Sequence, residues 1–371
     1  MSSDVVLHLS GPVLVGPDEI VDSAWVIGGR LTFDAPTGVV DGAGVRPADV
    51  RRVDGWVMPG LVDAHSHIGL GASGAVAQPV AESQAKADRD SGVLLVRDAG
   101  SPADTRWIDD RDDLPRVVRA GRHLARTHRY LRGIAVELEP EDLPAAAVDQ
   151  ARRGDGWVKI VGDWIDREIG DLAPCWPLEA LKATAEAVHA VGARLTAHCF
   201  GEDCLPDLLE AGIDCIEHAT GMDDETRLTA ARRGVPIVPT LVNIGTFPGI
   251  AESAQAKFPV YASHLRRLHD QRYATVAAAY EEGVPVFVGT DAGGTLPHGL
   301  IAREVAELVA AGIPATAALD AASWGARSWL GRPALEEGTP ADVVVYPQDP
   351  RDDVAVLAAP RMVVLRGRPV G

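Results

Sequence analysis

Apolar positions along this chain follow two rhythms. Short β-branched or alternating runs recur throughout, and between residues 58 and 334 they alternate with stretches of helical spacing. Pro177–Val191 places Leu178, Leu181, Ala185 and Val188 on one face, with proline at its start and Gly192 just past its end. Leu300–Ala311 repeats the logic with Ile301, Val305, Leu308 and Val309, closed by Gly312. Strand runs alternating with helices are the mark of βαβ units and a parallel sheet. The candidate strands are Val57–Ala64, Val93–Asp98, Leu131–Val136, Trp157–Val161, Leu195–Cys199, Cys215–His218, Ile237–Thr240 and Val286–Asp291. Eight such strands with intervening helices predict an α/β fold, a (β/α)8 TIM barrel over residues 58–334.

The flanks read differently. Val5–Leu9, Val13–Val15, Ala24–Ile27, Arg30–Phe33 and Arg52–Trp56 are short strand-like runs punctuated by Gly, Pro and Asp, as are Asp342–Tyr346 and Met362–Arg366 in the tail. Neither flank is large enough to bury a core alone. Residues 1–57 and 335–371 are therefore expected to combine into one small composite β-sandwich beside the barrel.

Composition narrows the partners. The formal net charge of −18 argues against nucleic acid and against an anionic membrane surface, leaving a small-molecule substrate and room for a homo-oligomer. No run approaches the ~20 apolar residues of a membrane span, and no basic-then-apolar leader stands at either end, so a soluble cytoplasmic protein is expected. Cys175, Cys199, Cys204 and Cys215 form no Cys-x-x-Cys pair and are expected to be buried free thiols, with Cys199 facing away from His198.

In a barrel, catalytic side chains lie at the C-terminal ends of strands. Those ends carry His65 and His67, Asp98, Val136, Lys159, His198, His218, Thr240 and Asp291. His65 and His67 are one residue apart, so their rings point to the same face of a strand and can converge on a metal ion. Several imidazoles can hold a divalent metal while leaving a position open for water, whose pKa falls toward ~7. Asp291 can ligate, take the water's proton and pass it to the leaving group. Lys159 fits only if it loses its charge or becomes an anion, because an ammonium is repelled by metal cations.

This set, led by Pro59-Gly60-Leu61-Val62-Asp63, resembles the amidohydrolase superfamily of metal-dependent hydrolases. Val96-Arg97-Asp98-Ala99-Gly100, Thr196-Ala197-His198, Ile216-Glu217-His218, Gly289-Thr290-Asp291-Ala292-Gly293 and the tail from Gly338 to Val345 support the likeness, which spans essentially the whole chain. The resemblance implies a binuclear centre, usually zinc. His65, His67 and Asp291 would hold the more buried ion, His198 and His218 the more exposed one, and Lys159, carboxylated by CO2, would bridge them. It implies hydrolysis of an amide-type C–N bond by a metal-bridging hydroxide, with Asp291 and His218 in catalytic roles.

The order of motifs is most similar to the prolidase-like and imidazolonepropionase-like group, whose members cleave dipeptides, N-acyl amino acids, phenylureas and related amides. His298 matches a position that often orients substrate there. Two departures stand out. Val161-Gly162-Asp163-Trp164 replaces the usual Ser-Gly-Gly run after the lysine, and the Gly-His that often follows the third strand is absent. A non-peptide amide, urea, carbamate or lactone thereby gains ground over a dipeptide.

Trp164, Trp176, Phe247 and Phe258 lie in strand-end loops of a chain poor in aromatics, and Trp164 and Phe247 are expected to wall an apolar part of the substrate. Thr240–Phe258 is long enough to act as a lid. Asp163, Asp166, Glu168 and Asp171 crowd one loop that could meet a cationic group. The rival readings are a mononuclear deaminase using Glu202, a lactone or ester hydrolase, and a non-catalytic binding protein.

Overall fold

The computed structural model describes residues 6–36 and 50–370, so Val5 of the first expected strand lies outside it. Both ends of the chain enter one mixed sheet of eight strands. Val6–Leu14 pairs antiparallel with Ile20–Ile27 and parallel with Val50–Asp54, and Val343–Tyr346 joins Trp56–Pro59 to Met362–Leu365. Leu7, Leu9, Val26, Val343 and Val345 fill its core. The two apolar runs at the start are one strand, with a register shift between Ser10 and Val13. Gly11 makes that shift possible: its φ is +140°, and a Cβ there would lie 2.4 Å from the Gly55 carbonyl oxygen.

The central strands are parallel and fall into two sheets. Leu61–Gly71, Val93–Asp98 and Arg116–Arg119 are consecutive neighbours in one, with Ala292–Gly294 at its other edge. Leu124–Arg126, Trp157–Val161, Arg194–Cys199, Cys215–His218 and Ile237–Val238 follow in order in the other. Isolated contacts connect the sheet edges: the Asp155 amide donates to the Arg119 carbonyl at one seam, and Ala64 to Val288 and Phe287 to Ile237 at the other. The strand order is that of a TIM-barrel-type domain, while the ladder itself is not continuous around it.

Two expected strands change. The third is Arg116–Arg119, not Leu131–Val136, which is a turn broken at Gly133 (φ +82°) and followed by the short edge strand Val136–Leu138. Only Val117 and Val118 are apolar in the true third strand, and the buried Arg119 beside them is matched by Asp109 and Asp155, so its hydrophobic signal was faint. The eighth run, Val286–Asp291, makes one bridge, Val286 to Ile237, before Ala292 pairs with Ser66. The helices at Leu178–Ala190 and Ile301–Ala310 lie where their spacing put them. Thr240–Phe258 is not an open loop. It folds into helices Leu241–Ile244 and Phe247–Ala254 before the long helix Pro259–Glu281. Among the described residues no helix is long and apolar enough to cross a membrane.

Candidate metal centre

His65 and His67 stand on the same side of a strand that is buried from Leu61 to Leu70, their rings 5.0 Å apart and edge-on. Each ring is held from behind. His65 Nδ1 lies 2.7 Å from Glu217 Oε2, and His67 Nδ1 lies 2.6 Å from the Gly100 carbonyl oxygen. Glu217 is itself inaccessible to solvent. Burial alone would raise its pKa, but the Arg97 guanidinium at 2.6 Å and the ring of His65 hold it well below the usual carboxylate range. The Thr196 hydroxyl also donates to it.

A carbonyl and an ionised carboxylate can only accept, so these partners assign the proton of each ring to Nδ1. In the neutral rings both Nε2 atoms carry lone pairs, and they face each other at 3.2 Å and Asp291 Oδ1 at 3.2 and 2.9 Å. Three acceptors converge with no proton between them. That is the donor set a divalent cation requires, with outer carboxylate and carbonyl partners of the kind that orient metal-binding histidines. The residues fit the group.

The other strand ends complete the pocket. His218, with Nδ1 2.7 Å from the Thr240 hydroxyl, brings its ligand atom within 4.8 Å of those of His65 and Asp291. The ring of His198 is 4.6 Å from that of His218, and its Nε2 is buried without a hydrogen-bond partner, 3.8 Å from Asp163 Oδ1. Burial holds the pKa of both rings well below that of free imidazole. Lys159, in register with Thr196 on the adjacent strand, is buried, and desolvation lowers its pKa from the usual lysine value. Among the described residues, four of the six non-glycine positions with positive φ are here: His218, Ala219, Thr240 and Asp291. Such backbone costs on the order of 1–3 kcal/mol each and persists only where surrounding contacts impose it. Asp63 supplies some of them, accepting from the amides of His65 and Thr290 and from the Thr290 hydroxyl.

The rings form a closed circuit. From His67 it passes to His123 (5.1 Å), Tyr130 (5.4 Å), Trp164 (4.7 Å), His198 (5.3 Å), His218 (4.6 Å) and His65 (5.0 Å), then back to His67. Phe200 packs on His198 and His218 from outside.

The model of the amidohydrolase family matches residues 56–370. The chain belongs to the amidohydrolase family. An uncharacterized protein of Mycobacterium tuberculosis is 54% identical over all of this chain and 97% of its own length. The structure of a putative prolidase from Bifidobacterium longum is 26% identical, with a TM-score of 0.79 over 98% of this chain and 94% of that one. The structure of Aspergillus niger ochratoxinase shares the fold at a TM-score of 0.76 and 20% identity, covering 98% and 95% of the two chains. As an amidohydrolase, the chain is a metal-dependent hydrolase acting on carbon–nitrogen bonds.

Several expectations for this amidohydrolase need correction. No Gly-His pair follows the third strand, but once that strand is placed at Arg116–Arg119 a histidine does: it is His123, buried, with Nδ1 lacking a partner. Gly100 makes room for it, since a Cβ at that residue would lie 2.8 Å from His123 Nδ1. Trp164 does stand beside the metal-facing rings, but Phe247 is fully buried in a local core and reaches the site only through Phe200, 4.8 Å away. His298 is pinned by Nδ1 to the buried Asp88 at 2.8 Å, its Nε2 unpartnered. Of the acidic loop, Asp163 accepts from the amides of Phe200 and Gly201, Asp166 pairs with Arg129 and Asp171 with His264, so three of the four acids are internally engaged. Glu202, the acid a deaminase would need, is bound to His264 and Arg267. Arg97 and Glu217 stand in the motifs quoted above but carry no role there, and Tyr130 and Asn243 are absent from them. Arg97 and Glu217 carry one legible signal, a charge that directly follows an apolar run within a strand.

Proposed function

We propose that this amidohydrolase hydrolyses a small amide, urea or carbamate that carries a flat apolar group beside the scissile C–N bond. The observation that carries this reading is the ring circuit, in which Tyr130 and Trp164 stand among the metal-facing histidines and offer planar faces to a substrate. An N-acyl aromatic amino acid or a dipeptide with an aromatic residue belongs to this class, and relatives named as a prolidase and an ochratoxinase are in keeping with it. The site would belong to a (β/α)8 barrel of residues 58–334 flanked by a sandwich of 1–57 and 335–371, in a cytoplasmic enzyme.

His65, His67 and Asp291 would hold one divalent ion, His198 and His218 a second, with zinc the expected metal. Lys159 would join them as a carbamate: its neutral amine adds to CO2, one N–C bond forms and one proton leaves to solvent. Metal bound there supplies Lewis acidity at the scissile carbonyl and lowers the pKa of water toward ~7. Asp291 Oδ2, which His65 and His67 leave unengaged, takes the proton of the attacking water and returns it to the departing nitrogen. Trp164 and Tyr130 hold the flat group against that motion, and His123 stands where it can reach the polar end of the substrate.

The test is Asp291→Asn, assayed with N-acetyl-phenylalanine, N-acetyl-alanine, a phenylurea and an aromatic lactone. Proton-transfer catalysis of this kind is worth roughly 10²–10⁴ in rate, and the variant should lose at least that. Full activity in Asp291→Asn would overturn the mechanism. N-acetyl-alanine cleaved as well as N-acetyl-phenylalanine would remove the flat-group reading.

A further inference from the structure

We infer that Asn243 is a positioning residue for Asp291, its side-chain amide holding Oδ2 so that the carboxylate presents a single oxygen, Oδ1, to the metal-holding histidines. This rests on the metal-centre reading given above and adds a residue to it. Asn243 Nδ2 donates to Asp291 Oδ2 at 2.7 Å, while Oδ1 of the same carboxylate faces His65 and His67. The acceptor is a carboxylate, which fixes the amide as the donor.

The turn that carries Asn243 is anchored on both sides. It starts at Thr240, whose φ is +47° and whose hydroxyl meets His218 Nδ1. The free amides of Leu241 and Val242, the next two residues, donate at 2.6 and 2.8 Å to the two oxygens of Glu304, a fully buried carboxyl group on the helix Ile301–Ala310. One turn therefore meets His218 through Thr240 and Asp291 through Asn243, and a buried carboxyl group from a separate helix fixes where it sits.

The residue type suits the task. A carboxylate can bind a cation through one oxygen or both. Binding through both leaves no oxygen to accept a proton. An amide donor occupies one lone pair of Oδ2 without bringing charge to the site, and it keeps Oδ2 turned away from Oδ1's partners. Alanine at this position would free the carboxylate to rotate and chelate.

The experiment loads the full chain with Co2+ and reads cobalt stoichiometry and the visible d–d band, whose intensity falls as coordination number rises. Asn243→Ala should bind the same amount of cobalt with a band at least two-fold weaker or clearly shifted. Thr246→Ala is the control, because the Thr246 hydroxyl donates to the Asn243 carbonyl and its loss loosens the same turn without touching Asp291. It should keep the native band. A native band in Asn243→Ala, or an equal change in Thr246→Ala, overturns the inference. Should the alanine variant fail to fold, Asn243→Ser, too short to span the contact, is read in its place by the same criteria. If the native chain itself gives no cobalt band, the metal-centre reading fails and takes this inference with it, whereas a native band unmoved by the variant sinks this inference alone.

Discussion

The two halves of the ring circuit are built in opposite ways. Around His65, His67 and Asp291, short directional bonds fix each inward-facing group: Glu217 and Arg97 behind one ring, the Gly100 carbonyl behind the other, Asp63 and Asn243 around the aspartate. Around Tyr130, Trp164 and His198, the contacts are faces and edges of rings, and buried nitrogens of His123 and His198 have no partner at all. Charged hydrogen bonds set positions to tenths of an ångström, whereas a ring contact is worth about 0.5–1.5 kcal/mol and tolerates sliding. On the proposed reading the first half would hold ions in place and the second would grip a flat group that arrives and leaves.

The comparison breaks most visibly at Glu217. Glu217→Gln keeps the shape but leaves the guanidinium of Arg97, inaccessible to solvent, without its counter-charge, and His65 without an anionic acceptor. Removing one partner of a buried pair costs about 3–5 kcal/mol. Loss of such an outer partner also weakens metal binding about 10–100-fold. Urea unfolding of metal-free protein and a zinc competition titration should both register the change. A variant as stable and as avid as the native chain would mean that the directional half is not held by its charges.

On the other half, Trp164→Ala should raise the KM for N-acetyl-phenylalanine about 10-fold, equivalent to about 1.4 kcal/mol, while zinc content stays native. Tyr130→Phe, which keeps the ring and its contacts to His123 and Trp164, should change KM by less, roughly 3-fold. Zinc lost from Trp164→Ala in step with any loss of activity would erase the distinction between the halves.

The directional half was largely legible in the sequence and the ring-built half was not. His65, His67, His218 and Asp291 could be picked out as neighbours because histidines and an acid at strand ends are a conspicuous residue set, and because apolar strands announce where strand ends fall. The wall depended on the third strand, whose apolar content is just Val117 and Val118 between arginines. Misplacing it hid His123 and Tyr130 together. Phe247 shows the converse limit, since an aromatic residue in a strand-end segment has the same appearance in sequence whether it lines a pocket or, as here, supports Phe200 from behind. Asn243 and Glu304 gave no signal, because both act through a turn whose path appears only in three dimensions.

The smallest expected effect lies in how the ring-built half is tethered. His264, on the long helix Pro259–Glu281, sits 2.9 Å from Glu202 and 2.9 Å from Asp171, tying the loop after the His198 strand to the hairpin that carries Trp164; Arg267 also pairs with Glu202. The Glu202 hydrogen bond raises the pKa of His264 above the ordinary histidine value; burial opposes this and Asp171 adds to it. A histidine whose folded pKa is raised contributes stability that is complete below its unfolded pKa of about 6.5 and disappears as pH climbs through the folded value. The network is partly solvated, so the contribution is about 1 kcal/mol or less. Thermal unfolding of the native chain should therefore lose about 1 °C relative to His264→Gln between pH 6 and pH 9. A constant difference between the two across that range would show that the imidazolium tether does not hold the wall, and that ring packing alone does.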